Sequence, residues 1–392
     1  MNVSIIVSNM SLESRILKEV RTLKRNGYDV RVLAAAFSHG TKKKKKEIKD
    51  LDVIYAGISM RSSNKLIRIL SYPYYLLMLC LHAFRLNSDI YHCQDFHTLP
   101  VGCLLKLFGR KRVIYDAREH YAMLISENPV FPRFIKPAIR SLVNFLETVC
   151  CHFVDYIITV DPILEKNFLK LNKNVTVVAN FPELMFFQST EDNALMKKYN
   201  NRQLIIYVGG LTPYRGILES IKAIELVRNK IENVKLLFVG PFQDTKYEKK
   251  VLDYIKSNNL ENLVEFTGPV PYGEVPKYLG ISKLGLLLYQ PTMRYSKTPY
   301  PIKLFEYIGY SLPVISSNLP ELEKIINEIN CGISVDPTNL REISDAIIYL
   351  LENPSEAKKM GENGRKAVEE KYNWEMMEKR LLEVYSDLIK QN

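Results

Sequence analysis

The chain has 392 residues, 47% of them hydrophobic and 25% charged, which is too long for one hydrophobic core and too apolar for extended disorder, so two globular domains are expected. Its formal charge of +11 is uneven: residues 1–180 hold 27 Lys and Arg against 15 Asp and Glu, a net +12, whereas residues 181–392 hold 27 against 28, a net −1. The excess points to an anionic partner for the first half, a phospholipid surface or a phosphate-bearing acceptor, and no recognition motif accompanies it to indicate nucleic acid.

Because the first residues carry no basic leader ahead of their apolar run, VSIIVS reads as a first strand rather than a signal peptide, and a cytoplasmic chain is expected. A helix with Ile16, Leu17, Val20 and Leu23 on one face follows, stopped at Asn26-Gly27, and then a strand over 28–33. The lysine run at 42–46 is either a solvated loop or a loop that contacts acceptor or membrane. Asp50-Leu51-Asp52 resembles a metal-binding pair, but Asp52 opens the strand DVIYAG, so no metal is expected. The apolar stretch 66–86 is broken by Arg68, Pro73 and His82, leaving a clean run well short of the roughly 20 residues of a bilayer span. It fits a core or interdomain helix and equally a helix lying on a membrane.

DIYHC, RVIYD, DYIITV and VTVVAN complete the first strand series, and the polar stretch 188–201 reads as a linker. A second series opens with LIIYVGG, continues through a helix with Ile217, Ile221, Ile224 and Ile231 on one side, and then runs VKLLFVG, LVEFTG, LGLLLY, LPVISS and GISVD. Strands alternating with helices predict α/β units with parallel sheets, here two Rossmann-like units, whose ligands bind beyond the carboxyl ends of the strands. The cleft between two such units is the expected active site. The end of the chain is helical with a break at Tyr372-Asn373. Six cysteines show no metal-ligand spacing and read as reduced, mostly buried thiols.

The run PYPIKLFEYIGYSLPVISSNLPELEKII, 299–326, resembles the nucleotide-sugar segment of family-4 retaining glycosyltransferases, supported by YVGGLTPYRGILESIKAI, DIYHCQDFHTLPVG, VIYDAREHY and CGISVDP. The resemblance covers nearly the whole chain. It implies the B-type fold, two Rossmann-like domains facing a cleft with the last helix crossing back to the first. The implied domains are an acceptor-binding one at 1–182 with 373–392, and a nucleotide-sugar-binding one at 183–372.

The resemblance makes Glu306 the residue that accepts hydrogen bonds from a ribose. The start of its helix near Ile302 suits a diphosphate, because free N–H groups and the positive dipole end meet there. Gly209, Gly210, Arg215 and Lys303 form the expected diphosphate pocket, with Arg215 where the family usually has lysine. Thr298 stands where the family commonly has a first glutamate, and Gly210 where it often has arginine. Arg118 takes the place of a histidine that reaches the donor, with His120 two residues on; with Arg215 these are the expected catalytic residues. Asn9, Asp95 and His97 lie just past strand ends, where they hold acceptor or donor sugar or cap the next helix.

The expected function is transfer of a sugar from a nucleoside diphosphate sugar, base unspecified, to a hydroxyl of a glycan or lipid-linked precursor. Retained configuration is implied by the family, and no cofactor or metal is expected. The setting is cytoplasmic, peripheral on the inner face of the membrane. A sugar-nucleotide epimerase of the same fold and a catalytically silent nucleotide-sugar-binding protein are the alternatives.

Overall fold

Parallel strands buried on both faces read as nearly unbroken apolar runs, because helices cover each side of the sheet. The computed structural model, which describes residues 1–8, 14–34, 51–56, 65–127, 132–188, 192–292 and 300–390, with backbone alone for 65–72, contains two such sheets. The chain divides into two units, Met1–Asn180 with Met377–Asn392, and Phe181–Met376.

In the first unit the strands are β1 (Asn2–Val7), β2 (Asp29–Ala34), β3 (Asp52–Tyr55), β4 (Ile90–Gln94), β5 (Arg112–Ala117), β6 (Tyr156–Thr159) and β7 (Val175–Val177). They form one sheet in the order β3-β2-β1-β4-β5-β6-β7. All pairings are parallel; Val3 lies beside Val30 on one side and Ile90 on the other. In the second unit β8 (Gln203–Val208), β9 (Val234–Val239), β10 (Val264–Gly268), β11 (Leu284–Leu287), β12 (Val314–Ser317) and β13 (Gly332–Val335) run in the order β10-β9-β8-β11-β12-β13. Each order reverses direction once, between β1 and β4 and between β8 and β11. Such a reversal leaves a crevice at the carboxyl ends of the two central strands, where ligands of open sheets bind.

The helix Ser14–Arg25 buries Ile16, Val20 and Leu23 of the face its spacing predicts, leaves Leu17 half-buried, and also buries Arg15, Lys18, Glu19 and Thr22. Asp52 pairs with Arg31 across the sheet edge at 3.5 Å; Asp50 and the lysine run 42–46 lie outside the described residues. Five of the six cysteines are buried, and all are free thiols. Within the stretch expected as a linker, the helix Asn193–Lys198 forms and Tyr199 is buried. The aromatic run ahead of it likewise belongs to the second unit, where the Phe181 ring meets Phe305 at 4.6 Å and Tyr372 at 5.4 Å. Rings of that size leave water once a partner is in reach.

The break near the end of the chain has a local cause. Asn373 donates to the carbonyls of Val368 and Glu369, closing the helix Pro354–Glu370, and accepts from the Met376 N–H, opening the helix Trp374–Lys390. From Met377 onward that last helix packs in the first unit. Its Tyr385 ring lies 5.4 Å from Tyr28, and the Tyr385 hydroxyl is 2.9 Å from His92 Nδ1.

Candidate functional site

At the end of β8 the backbone turns through Gly209 with φ of +131°, a conformation that disfavours any side chain. A Cβ there would fall 2.2 Å from Lys303 Cε and 2.7 Å from its Nζ, so the lysine crosses directly over the strand end. Lys303 stands in the first turn of the helix Ile302–Gly309, which has no side-chain cap. Its N-terminal N–H groups and the ammonium therefore converge beside Gly209. At Gly210 a Cβ would meet Gln243 Nε2 at 2.3 Å, which brings Gln243 to the same strand end.

Arg215 comes to this place by a second glycine. Gly216 has φ of +68°, and a Cβ on it would lie 2.2 Å from the Leu288 carbonyl oxygen. Only glycine lets the turn Pro213–Arg215 approach the end of β11 so closely. There Arg215 donates to the Tyr289 hydroxyl at 2.6 Å, with its guanidinium carbon 4.7 Å from the ring centre. Burial pushes the Lys303 ammonium pKa down; Glu306 counteracts this and Arg215 adds to it. Two cations within electrostatic reach, with one carboxylate to offset them, make a place that an anion relieves.

Glu306 is only 4% exposed. Its helix needs inward-facing residues on this side, and Leu304, Phe305, Tyr307 and Ile308 are buried around it. The Tyr272 hydroxyl donates to Glu306 Oε1 at 2.8 Å, and the Tyr272 ring stacks on Phe186 at 4.9 Å. Burial and the neighbouring carboxylate hold the Tyr272 phenol well above its ordinary value, so it stays a donor. Tyr272, Gln243 and Tyr289 were not foreseen from the sequence. Each sits one loop beyond a strand end, and no local pattern marks it.

In the first unit Asp95 follows β4 with φ of +70°. Arg118, just past β5, grips it with both arms at 2.9 and 2.5 Å, and the Tyr121 hydroxyl donates to the same carboxylate at 2.5 Å. The arginine expected to reach a donor and the aspartate expected to hold an acceptor thus form one ion pair. The reason is geometric: β4 and β5 are neighbours, so residues just past their ends meet. His97 is exposed on the loop after Asp95. His120 is half-buried, and its carbonyl accepts from Met123 and Leu124 at the start of the helix Tyr121–Glu127. His97 and His120 belong to the first unit and Arg215 to the second. Asn9 and Thr298 lie outside the described residues.

Behind Asp95 sits a polar cluster that hydrophobic periodicity does not reveal. Arg15 donates to both oxygens of Asp116 at 3.1 and 3.0 Å and to the Val178 carbonyl at 2.5 Å, and pairs with Glu19 at 2.8 Å. Gln94 donates to Glu19 at 2.5 Å, and His92 Nε2 lies 3.7 Å from Asp116. Burial alone raises the Asp116 carboxyl pKa, but Arg15 and His92 outweigh it and hold it well below the usual range. Among the described residues, Glu19, His92 and Asp116 are the group close enough to share a metal ion. The Arg15 guanidinium already stands between the two carboxylates, so the protein supplies that cation itself.

Residues 12–183 match the family described as Glycosyltransferase Family 4, and residues 188–367 match Glycosyl transferases group 1. An uncharacterized glycosyltransferase of Methanocaldococcus jannaschii is 24% identical over 241 residues, 60% of this chain and 59% of the relative. A capsular polysaccharide biosynthesis glycosyltransferase of Staphylococcus aureus is 26% identical over 242 residues, 59% of this chain and 60% of the relative. The aligned stretches thus span less than two thirds of the length of these relatives. A crystal structure of Anabaena HepE in complex with UDP superposes with a TM-score of 0.75 at 14% identity, over 99% of this chain and 100% of that one, a likeness of fold. Two parallel sheets of this order, under two matches that follow each other along nearly the whole chain, show that the protein belongs to glycosyltransferase family 4, with the B-type fold.

Proposed function

We propose that the protein transfers a sugar from a nucleoside diphosphate sugar to a hydroxyl of a glycan or lipid-linked precursor, with retained configuration and no metal. The observation that carries this reading is the crossing of Lys303 over Gly209 at the end of β8, with Arg215 close enough to disfavour the lysine's charge. A diphosphate there meets two cations and the start of a helix. Those charges take the place of a divalent cation. Glu306, one turn further along the same helix, is the acceptor for ribose hydroxyls, with Tyr272 holding its other oxygen side.

In the reaction the bond between the anomeric carbon and the diphosphate oxygen breaks, and its electron pair goes to the diphosphate beside Arg215 and Lys303. The acceptor oxygen bonds to the anomeric carbon on the face the diphosphate leaves. Its proton passes to a leaving phosphate oxygen, so no carboxylate nucleophile is required. We further place the protein at the cytoplasmic face of a membrane as a peripheral enzyme. The basic first half supports this, and among the described residues no helix is long and apolar enough to cross a membrane.

The test is a thermal-shift panel of UDP, GDP, CDP and ADP with EDTA present. A nucleotide at about a hundredfold above its dissociation constant adds roughly 2.7 kcal/mol of stability. One nucleotide stabilises the protein if the reading holds; none does if the pocket is not a nucleotide site. HepE was solved with UDP, so UDP is the first to try.

A further inference from the structure

Three helices of the first unit pack side by side over one core cluster: Lys65–Leu86 on Leu99–Gly109, and Leu99–Gly109 on Lys136–Phe153. The last of these has 18 residues and buries only Cys151. Its apolar stripe faces outward instead: Leu142, Phe145, Val149 and Phe153 recur at helical spacing and are all exposed, Phe145 at 64%. Phe134, just before that helix, is 83% exposed, and Phe108 on the middle helix 77%, beside exposed Leu104 and Leu107. The first helix adds exposed Leu77 and Leu81. Scattered apolar residues on a surface are ordinary, but a face shared by three adjacent helices marks a docking surface.

Charge selects the occupant. The three helices carry Lys65, Arg68, Arg85, Lys106, Lys136 and Arg140, with Glu147 as their one acidic residue. Glu147 turns inward, where its carboxylate accepts from the Tyr115 hydroxyl at 2.6 Å. At the ends of two of these helices Lys106, Arg110, Lys111 and Arg112 line a cavity of about 370 Å³ together with Asp89 and Asp155, and Asp155 pairs with Lys106. A face of phenylalanine and leucine edged by cations is what inserts into the boundary of an anionic bilayer, with the rings among acyl chains and the cations at the phosphates.

We propose that this three-helix face, centred on Leu142 and Phe145, docks the protein on an anionic membrane surface. The proposal rests on the reading of a membrane-peripheral enzyme and deepens it: it assigns the contact to a built face rather than to the lysine run. Cosedimentation uses vesicles of phosphatidylcholine, with and without about one third phosphatidylglycerol. Wild type binds the anionic vesicles. Phe145→Glu and Leu142→Glu each weaken that binding about tenfold or more, with unchanged circular dichroism, because a buried carboxylate replaces inserted apolar surface. In Phe145→Trp the new indole emission shifts to the blue on adding anionic vesicles, whereas Trp374 is already buried.

If wild type ignores anionic vesicles, both the face and the peripheral reading fail. Should wild type and Phe145→Glu bind equally while Lys42–Lys46 replaced by glutamine does not, the membrane reading stands and the face is refuted. A wild-type dimer in light scattering that Phe145→Glu splits, without vesicle binding, overturns the proposal in favour of a second copy on this face.

Discussion

Replacing Glu306 by alanine removes two things at once. The Tyr272 hydroxyl, 2.8 Å away, loses its acceptor, and Lys303 loses the carboxylate that counteracts its burial. Tyr272 is 48% exposed, so water takes up much of the lost hydrogen bond and the change costs about 1 kcal/mol. Against a typical stability of about 5–15 kcal/mol this leaves the protein folded, with a melting temperature lower by a few degrees. Nucleotide affinity suffers more. A carboxylate that accepts from two ribose hydroxyls contributes roughly 3 kcal/mol, so the dissociation constant rises about a hundredfold. Calorimetry with the nucleotide that stabilises wild type measures this, and the melting curve without nucleotide measures the structural cost separately. Tyr272→Phe is the control: it removes the hydroxyl, keeps the carboxylate, and leaves affinity within a few-fold of wild type. If Glu306→Ala binds nucleotide as wild type does, the assignment of the ribose contact is wrong.

Arg215→Ala lowers turnover about a hundredfold or more with a smaller effect on donor affinity, and Arg215→Lys recovers much of it, because the leaving diphosphate gains charge as the bond breaks. Steady-state kinetics with donor and acceptor varied separately report this; a change confined to the apparent affinity for acceptor refutes it. Asp116→Asn leaves the Arg15 guanidinium with Glu19 alone as its carboxylate partner in a fully buried cluster and costs about 1–3 kcal/mol in urea unfolding. Burial raises the Glu147 carboxyl from 4.5 to about 7, against the hydrogen bond from Tyr115. Its stabilising effect is therefore full below the unfolded value and is lost as pH rises through about 7, a loss of about 3 kcal/mol. Glu147→Gln removes that loss, so the variant gains on wild type between about pH 5 and about pH 8 in urea midpoints; parallel pH profiles contradict the assignment.

Each strand of the seven-stranded and six-stranded sheets coincides with an apolar run legible in the sequence. Buried parallel strands are the one element whose pattern needs no partner to be recognised. Gly209 was legible through the resemblance as part of the diphosphate pocket, whereas the close approach at Gly216 is shown by the packed structure. What was not legible lies across loops. Arg118 meets Asp95 because β4 and β5 are neighbours, and Tyr272 reaches Glu306 from a turn 34 positions away. The Arg15 cluster was hidden because periodicity counts apolar residues, whereas Arg15, Lys18 and Glu19 are buried by pairing. On the helix Lys136–Phe153 the pattern was present, but its apolar side faces solvent, which only the packed structure shows.

The most direct test of the central claim is to incubate the protein with UDP-, GDP- and other nucleoside diphosphate sugars in EDTA, with a hydroxyl-bearing glycan acceptor, and to read products by NMR. The account predicts that one donor releases its nucleoside diphosphate only as a glycosylated product appears, with the anomeric configuration of the donor retained. A sugar nucleotide altered at a ring carbon without acceptor identifies an epimerase. Inversion at the anomeric carbon, or no turnover of any donor with any acceptor, contradicts the account.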